Sequence, residues 1–297
     1  MDKKVIIIGG GPAGVSASLY TVRAGIDTSL IIYEESALDK AENIENYYGF
    51  PGGISGAELK KRGLEQARAL GVRILEEEVV GLAMDFVESK TEGDEDAGKA
   101  SEMKLIVKTS QADHPADAVI IAMGSQRKAP DVEGIKEYEG KGVSYCAVCD
   151  GFFYRGKTVA VLGSGEYADS EARELEPLAA EVIRLEDISA IKRFSGNIDQ
   201  DADRLRRVEF KDGTSKEIDG LFIAYGTAGP GDLAKKIGIM TEGSRIIVDE
   251  KMATNVPGIF AAGDCTGGML QVSKAVADGA KAAASAIAHL RSSGTGA

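Results

Sequence analysis

The chain has 297 residues, of which 43% are apolar, with 37 glycines and no tryptophan. This length exceeds the usual single domain, and this composition suits a globular protein of strands, helices and tight turns, so we expect two domains. The formal net charge of -12 argues against sequence-independent binding to nucleic acid or to an anionic membrane, because both need clustered Lys and Arg.

Apolar runs and cysteine usage indicate the compartment. The apolar run near the start ends at glycines after four residues. No stretch approaches the roughly 20 apolar residues of a membrane-spanning helix. The three cysteines give no disulfide framework. We therefore expect a cytoplasmic protein in which a close cysteine pair serves catalysis or metal binding.

The first element is a strand followed by a glycine loop. Val5 to Ile8 is a continuous β-branched run, typical of a strand buried on both faces, and it leads into GGGPAG. Gly9, Gly11 and Gly14 stand in the register of G-x-G-x-x-G. The next segment, VSASLYTVRAG, is predicted to be a helix, and DTSLIIYEE a second strand that ends at Glu34.

This order of strand, loop, helix and strand predicts a dinucleotide site. One glycine makes the turn, a second lets the backbone approach a pyrophosphate, and a third lets the helix pack on the strand. Glu34, about 20 residues after the loop, is placed to accept hydrogen bonds from an adenosine ribose. Gly10, Pro12 and Ala13 within the loop favour FAD as the dinucleotide.

A cysteine pair follows in SYCAVCDGFFYR, where Asp150 comes directly after Cys146 and Cys149. A C-x-x-C beside a βαβ pattern predicts a dithiol-disulfide centre, because the two sulfurs can bridge and either can become a reactive thiolate. The alternatives are an inert pair and a zinc site, for which the third cysteine and the two histidines stand at no partner spacing. Asp150 is placed either to exchange protons with the thiolates or to form a turn.

A second glycine loop comes next and is unusually acidic. Gly163, Gly165 and Ala168 keep the form G-x-G-x-x-A. Glu166 and Tyr167 stand where a pyrophosphate needs small or neutral side chains, and Glu186 and Asp187 follow the predicted strand EVIRL. A loop of this form normally holds an anion, so its acidic residues need an explanation.

The last patterned segment runs from GIFAAGDC to AIAHL. It predicts a short strand, a turn at Gly263 and Asp264, a glycine loop, and a helix from about Leu270 to His289. A reduced flavin carries negative charge at its pyrimidine edge, so a helix N-terminus there stabilises the reduced form, and Asp264 suits a hydroxyl of the flavin chain. A helix of small residues that serves packing alone is the alternative.

Five segments resemble, in chain order, the motifs of the low-molecular-weight thioredoxin reductases: GGGPAG, IENYYGFPGG, DAVIIAMGS, GVSYCAVCDGFFYRGKTVAVLGSG and VPGIFAAGDCTGGMLQVSKAVADG. The resemblance implies an α/β fold of two doubly wound, Rossmann-like nucleotide-binding domains, the second inserted in the first. It implies an FAD-binding domain of residues 1–127 and 229–297, and a middle domain of residues 128–228 with the C-x-x-C and the second loop. A homodimer is the usual assembly.

The resemblance also implies roles for individual residues. Cys149 is similar to the sulfur that faces the flavin, Cys146 to the one that exchanges with thioredoxin or a similar protein disulfide, and Asp150 to the acid-base residue. The implied FAD contacts are Gly9, Gly11, Pro12, Ala13, Gly14, Glu34, Asn46, Gly124, Asp264, Gln271 and Val272. No metal is expected.

One departure from the family pattern concerns the electron donor. Usual members bind NADPH through the second loop and through basic residues after the next strand, where this chain has Glu186 and Asp187. Exchanging an attractive contact for a repulsive one at about 4 Å costs several kcal/mol even at a dielectric near 20, or more than 100-fold in affinity. We therefore do not expect tight NADPH binding.

The resemblance and this departure together favour a flavin disulfide reductase that acts on thioredoxin or a similar small protein, with reduced ferredoxin rather than NADPH as the donor; an NAD(P)H-dependent thioredoxin reductase is an alternative. Glu186 could bind the unphosphorylated ribose of NADH, or the loop is a structural relic and electrons come from reduced ferredoxin or a deazaflavin. An acidic ferredoxin needs a basic face, and a mixed-charge surface explains the available cluster equally well. That cluster is Lys192, Arg193, Arg204, Arg206, Arg207 and Lys211. A dithiol oxidase that uses oxygen and a non-enzymatic flavin redox sensor are the other functions considered.

Overall fold

The computed structural model describes residues 3–33, 36–88, 101–124, 130–145, 147–197, 201–225 and 229–292. Glu34 and Cys146 lie outside the described residues, as does the side chain of Cys149. The chain divides into two compact units, a first unit of Met1–Gln126 with Gly229–Ala297 and a second unit of Arg127–Ala228.

The elements are numbered in chain order. The strands are β1 (Lys4–Ile8), β2 (Asp27–Ile32), β3 (Arg73–Glu76), β4 (Val79–Glu88), β5 (Ser101–Thr109), β6 (Asp113–Ala116), β7 (Ala118–Ile121), β8 (Val143–Ser144), β9 (Thr158–Leu162), β10 (Glu181–Leu185), β11 (Ile191–Asn197), β12 (Asp201–Phe210), β13 (Ser215–Glu217), β14 (Gly220–Ile223), β15 (Thr241–Glu242), β16 (Arg245–Ile246) and β17 (Ile259–Ala261). The α-helices are α1 (Pro12–Arg23), α2 (Gly56–Ala69), α3 (Ala147–Asp150), α4 (Glu166–Leu175), α5 (Pro230–Lys236) and α6 (Val272–Ser292).

The first unit is built on a parallel sheet in the order β17-β7-β1-β2-β3. Strands β1 and β7 are completely buried along their apolar runs, which explains why their sequences are continuous rather than alternating. The chain leaves β1 toward β2 on one side, whereas β7 lies on the other, so a topological switch point lies between β1 and β7. Ligands of such sheets bind at the carboxyl ends of the strands at this point.

The second unit repeats the arrangement on a smaller scale. Its parallel sheet has the order β10-β9-β14-β8, and the switch point lies between β9 and β14. An antiparallel sheet, β11-β12-β13, contributes buried residues such as Phe194 of β11 and Leu205 of β12 to the core of this unit. Both units therefore have the α/β, doubly wound architecture predicted from the sequence.

Helices α1 and α6 pack closely within the first unit. A Cβ added to Gly279 of α6 would lie 2.1 Å from the carbonyl oxygen of Ala13, so the contact requires glycine. The hydroxyl of Ser16 donates a hydrogen bond of 2.8 Å to the carbonyl of Val276. The two helix N-termini are thereby brought to the same edge of the sheet. Within the described ranges, no helix is both long enough and apolar enough to cross a membrane.

Candidate functional site

The first glycine loop makes two backbone contacts that exclude any side chain. Gly9 has a φ of +112°, and a Cβ there would lie 2.3 Å from the carbonyl oxygen of Ala122, which follows β7. A Cβ on Gly14 would lie 1.8 Å from the carbonyl oxygen of Gly9. These glycines therefore close the turn over the switch point, as the dinucleotide pattern requires.

Gly11 is glycine for a different reason. Its φ of -76° suits any residue, and no atom of the described chain lies within 4 Å of the position that its Cβ would take. Gly11 is the N-cap of α1, and Pro12 begins the helix. No acidic residue lies in the first turn, and no described side chain caps this end. An open, uncapped helix N-terminus fits the pyrophosphate of a dinucleotide.

Two predicted cofactor residues that are 225 positions apart meet in the structure. The side-chain amide of Asn46 donates a hydrogen bond of 2.8 Å to the side-chain oxygen of Gln271. Gln271 immediately precedes Val272, where α6 begins two residues later than the sequence suggested. This contact brings the IENYYGF segment to the N-terminus of α6.

Asp264 lies in a single 3-10 turn, Gly263–Thr266, directly after β17. Gly263 has a φ of +81°, and a Cβ there would lie 2.9 Å from the Cβ of Ala13, so the turn packs directly on α1. Burial raises the pKa of the Asp264 carboxyl, the positive charge of Lys274 opposes this rise, and the carboxylate of Asp278 adds to it. Gly124, after β7, has a φ of +76° with open space at its Cβ position.

These residues fit FAD. The ends of β1, β7 and β17 place the glycine loop, Gly124 and Asp264 at one edge of the sheet. The two helices whose N-termini reach this edge are α1 and α6, as a flavin dinucleotide with one pyrophosphate and one redox-active ring requires. Glu34, predicted to hold the ribose, lies outside the described residues.

The helix that carries Cys149 of the predicted dithiol is held by side chains at both of its ends. Cys149 lies within α3, which ends at Asp150. The hydroxyl of Ser144, buried at the end of β8, donates a hydrogen bond of 2.6 Å to a carboxylate oxygen of Asp150. The predicted acid-base residue is therefore oriented by the second unit's own sheet.

Glu171 was missed by sequence reasoning. It lies on α4, is 1% exposed, and accepts a hydrogen bond of 2.7 Å from the backbone amide of Ala147, the first residue of α3. The sequence signal that could have found it is helical spacing. Ala168, Ala172 and Leu175 form the buried face of α4, and Glu171 falls on the same face. An acid among small apolar residues is the pattern of a buried partner rather than of a solvated charge.

The glycines of the second loop serve the fold. Gly163 has a φ of +144°, and a Cβ there would lie 1.9 Å from the carbonyl oxygen of Ala224, after β14. This contact repeats that of Gly9 with Ala122 at the other switch point. Tyr167 is buried in the core of the unit, so the interpretation that its side chain stands in the mouth of the loop was wrong. The first turn of a helix has an inner face, and Tyr167 is on it.

Carboxylates do stand at the mouth of this loop. Glu166 and Asp169 lie in the first turn of α4, where α1 has no acid. Asp169 pairs with Arg184 of β10 at 2.6 Å. After β10, Asp187 accepts hydrogen bonds from the backbone amide and hydroxyl of Ser189, and the bond from the hydroxyl is the main cause that lowers the pKa of Asp187. The positive end of α4 thus already faces negative side chains.

Three of the six residues of the basic cluster in the second unit are paired with acids. Arg193 pairs with Glu209 at 2.9 Å, Arg206 with Asp219 at 2.8 Å, and Arg207 with Glu217 at 3.7 Å. These contacts favour the interpretation of a mixed-charge surface over that of a uniformly basic one.

Cys265, the third cysteine, is 1% exposed in the turn beside Asp264. Its thiol contacts the carbonyl oxygens of Ala262 at 3.2 Å and Ile121 at 3.4 Å. Burial raises the pKa of this thiol to about 12. Cys265 is therefore a packing residue of the first unit and does not supply a thiolate near neutral pH.

Comparisons with known proteins give one answer at the level of family. The family model described as "Pyridine nucleotide-disulphide oxidoreductase" matches residues 3–198 and 183–279. The thioredoxin reductase of Aquifex aeolicus is 33% identical over 88% of this chain and 84% of its own. The thioredoxin reductase of Bacillus subtilis is 34% identical over 95% of this chain and 92% of its own.

Two solved structures are also similar. The atypical thioredoxin reductase TRi of Desulfovibrio vulgaris Hildenborough aligns with a TM-score of 0.82 and 36% identity over 99% of both chains. A ferredoxin-flavin thioredoxin reductase of Clostridium acetobutylicum aligns with a TM-score of 0.65 and 30% identity over 97% of this chain and 98% of its own.

Proposed function

The chain belongs to the thioredoxin reductase family of FAD-dependent disulfide oxidoreductases, and we propose that it passes electrons from FAD through a Cys146-Cys149 dithiol to thioredoxin or a similar protein. We propose that residues 1–127 and 229–297 hold FAD and that residues 128–228 carry the dithiol. The donor is proposed to be reduced ferredoxin rather than NADPH, and the active form a homodimer.

The dithiol performs the exchange chemistry. Bound FAD supplies a two-electron carrier. The reduced dithiol starts the exchange when the Cys146 thiolate attacks one sulfur of the substrate disulfide, which forms a mixed disulfide and displaces the other sulfur as a thiolate. Cys149 then attacks Cys146, releases the second substrate thiolate and restores the Cys146-Cys149 disulfide. Two electrons thus leave the dithiol and reach the substrate.

Asp150 is the proposed acid-base residue of this exchange. Each displaced substrate thiolate takes up a proton, and Asp150, next to Cys149 in sequence, is placed to deliver one. The hydrogen bond from Ser144 to Asp150 keeps the carboxylate beside the end of α3. Ser144 therefore orients the proton donor without contacting the substrate.

A protein substrate is supported by two exposed aromatic side chains beside the dithiol. Phe152 and Phe153 follow in the 3-10 turn Gly151–Tyr154 and are 66% and 69% exposed. Their rings lie edge to face at 6.3 Å, and the guanidinium of Arg155 lies over Phe152. Exposed aromatic residues with an adjacent arginine are typical of protein-binding surfaces, which accords with thioredoxin as the partner.

The donor proposal depends on one observation, the acidic first turn of α4. A helix N-terminus attracts an anion by its unpaired amides and its dipole, and Glu166 and Asp169 oppose that attraction. The equivalent turn of α1 has no acid. Asp169 is balanced by Arg184 at 2.6 Å, which leaves the exposed Glu166 as the main acid at the first turn of α4. Because Glu186 and Asp187 also replace the paired basic residues for a 2'-phosphate, NADPH loses its usual attraction at both of its phosphate positions. The similarity to a ferredoxin-flavin thioredoxin reductase supports ferredoxin as the alternative donor.

Transfer to thioredoxin is tested without reference to the donor. The flavin is photoreduced anaerobically, and the protein is mixed with oxidised thioredoxin while the flavin absorbance near 450 nm is followed. We expect rapid reoxidation in the native protein and in Cys265→Ser, and none in Cys146→Ser or Cys149→Ser. Reoxidation by thioredoxin in both dithiol variants would overturn the proposed route.

A further inference from the structure

Lys274 is held in an unusual position at the start of α6. It is the third residue of the helix, where a positive charge opposes the helix dipole. Its side chain nevertheless turns back over the end of the helix rather than into solvent. A cation in this place needs compensation from nearby oxygens, and the structure provides it.

Four oxygens surround the ammonium group of Lys274. Its Nζ lies 2.8 Å from the carbonyl oxygen of Gly263, 2.5 Å from that of Gly267 and 3.1 Å from the hydroxyl of Thr266. The fourth oxygen belongs to Asp278, one helical turn later on α6, at 2.8 Å. The ammonium thus binds both ends of the turn that carries Asp264.

Asp278 links Lys274 to the backbone of the same turn. Its carboxylate is buried and also accepts a hydrogen bond of 3.2 Å from the backbone amide of Gly263. The hydroxyl of Thr266 donates to the carbonyl of Gly263 at 2.8 Å, so the turn is closed on itself. Lys274 and Asp278 therefore fix the turn Gly263–Thr266 on the first two turns of α6.

We propose that Lys274 is a positioning residue for the flavin, which holds the Asp264 turn in place and offsets the negative charge of the buried Asp278 carboxylate at the N-terminus of α6. The inference rests on the proposed placement of FAD at this edge of the first unit and is independent of the electron donor. A positive charge here stabilises the reduced, negatively charged ring more than the oxidised ring. Lys274 thus raises the flavin reduction potential and strengthens FAD binding.

The test compares the flavin potential and FAD affinity of the holoprotein in four variants. Lys274→Met removes the charge at nearly constant length, and Lys274→Arg keeps the charge. Lys281→Met is the matched control, since Lys281 is exposed on the same helix. Asp264→Asn reports whether FAD occupies this site. Potentials are measured by anaerobic titration against a reference dye, and affinity by flavin fluorescence.

We expect Lys274→Met to bind FAD about tenfold more weakly and to lose about tenfold in its preference for reduced over oxidised flavin. For a two-electron couple this loss is a shift of about 30 mV to more negative potential. Lys274→Arg keeps most of the native potential, and Lys281→Met is unchanged. If Lys274→Met does not fold, Lys274→Gln, which keeps a hydrogen-bond donor, is expected to show the same negative shift.

Other results would overturn the inference in distinguishable ways. A native potential in Lys274→Met, or in Lys274→Gln where the first variant does not fold, contradicts the role of the charge. If Asp264→Asn shifts affinity or potential while the Lys274 variants do not, only the inference about Lys274 fails. If none of these variants changes either quantity, the placement of FAD at this edge fails with it.

Discussion

The carboxylate of Glu171 accepts a hydrogen bond of 2.7 Å from the backbone amide of Ala147. Ala147 begins the helix that contains Cys149, and Glu171 lies on the helix that begins at the second glycine loop. The loop therefore has a structural role that needs no nucleotide. It connects β9 to α4, and α4 supplies the buried carboxylate that binds the start of α3, the helix that carries Cys149 of the proposed dithiol.

Removing this carboxylate is expected to destabilise the protein. Glu171→Ala leaves the buried Ala147 amide without its acceptor, which costs about 1–3 kcal/mol of unfolding free energy. Glu171→Gln keeps an oxygen acceptor and is expected to lose less. Glu174→Ala, an exposed change on the same helix, is the control and stays near the native value. Urea unfolding of the purified variants measures the differences, and equal stability of all three would contradict the contact.

Gly11→Ala is expected to separate cofactor affinity from fold stability. Its backbone conformation suits alanine and its Cβ position is open, so the apoprotein keeps its stability. The methyl group enters the space over the N-terminus of α1 and weakens FAD binding about tenfold or more. In Gly14→Ala the added Cβ would meet the Gly9 carbonyl, so this variant is expected to lose both FAD affinity and fold stability. Flavin fluorescence and urea unfolding measure the two quantities, and native affinity in Gly11→Ala argues against a pyrophosphate here.

Phe152→Ser and Phe153→Ser are expected to impair docking of thioredoxin and not reduction of a small disulfide. Each exposed ring contributes roughly 1–2 kcal/mol to a protein interface, so KM for thioredoxin rises about tenfold per substitution. Turnover of a small aromatic disulfide stays unchanged. Tyr20→Ser, an exposed aromatic change on α1, is the control. An unchanged KM in the double variant removes this surface from the thioredoxin site.

Cys265 is expected to resist alkylation at pH values where the dithiol reacts. Its pKa of about 12 leaves a thiolate fraction of only about 1 in 1,000 at pH 9, and its sulfur is buried. In reduced protein treated with iodoacetamide between pH 7 and 9, mass spectrometry should show modification of Cys146 and Cys149 alone. Cys265 is modified after unfolding. Fast labelling of Cys265 that increases with pH in folded protein contradicts its assigned packing role.

The elements that the sequence predicted well are those with local signals. The β-branched run from Val5 to Ile8 and the segment EVIRL are strands at nearly the predicted bounds. The first is buried as a continuous run, and in EVIRL, at the edge of its sheet, the buried residues Ile183 and Leu185 alternate with more exposed ones. The predicted α/β fold and the predicted membership of an FAD-dependent disulfide oxidoreductase family are confirmed. The contact between Asn46 and Gln271 joins distant segments and was not predicted; the resemblance to a family named both residues only as FAD contacts.

What sequence reasoning missed depends on side-chain direction. Glu171 and Lys274 are charged residues on helices, where a solvated position is the usual expectation. Their actual partners, Ala147 for Glu171 and the Gly263–Thr266 turn for Lys274, are set by packing and have no local signature. Tyr167 shows the reverse error: its position next to a glycine loop predicts a side chain that lines the loop, whereas this side chain lies in the core.

The choice of electron donor is tested most directly by anaerobic stopped-flow absorbance of the holoprotein. Flavin bleaching near 450 nm is followed after mixing with NADPH, NADH or reduced ferredoxin, each at the same electron equivalents. With carboxylates at the N-terminus of α4 and after β10, we expect prompt bleaching with reduced ferredoxin and none with NADPH. Prompt bleaching by NADPH would contradict the proposed donor and make this chain a nicotinamide-dependent thioredoxin reductase.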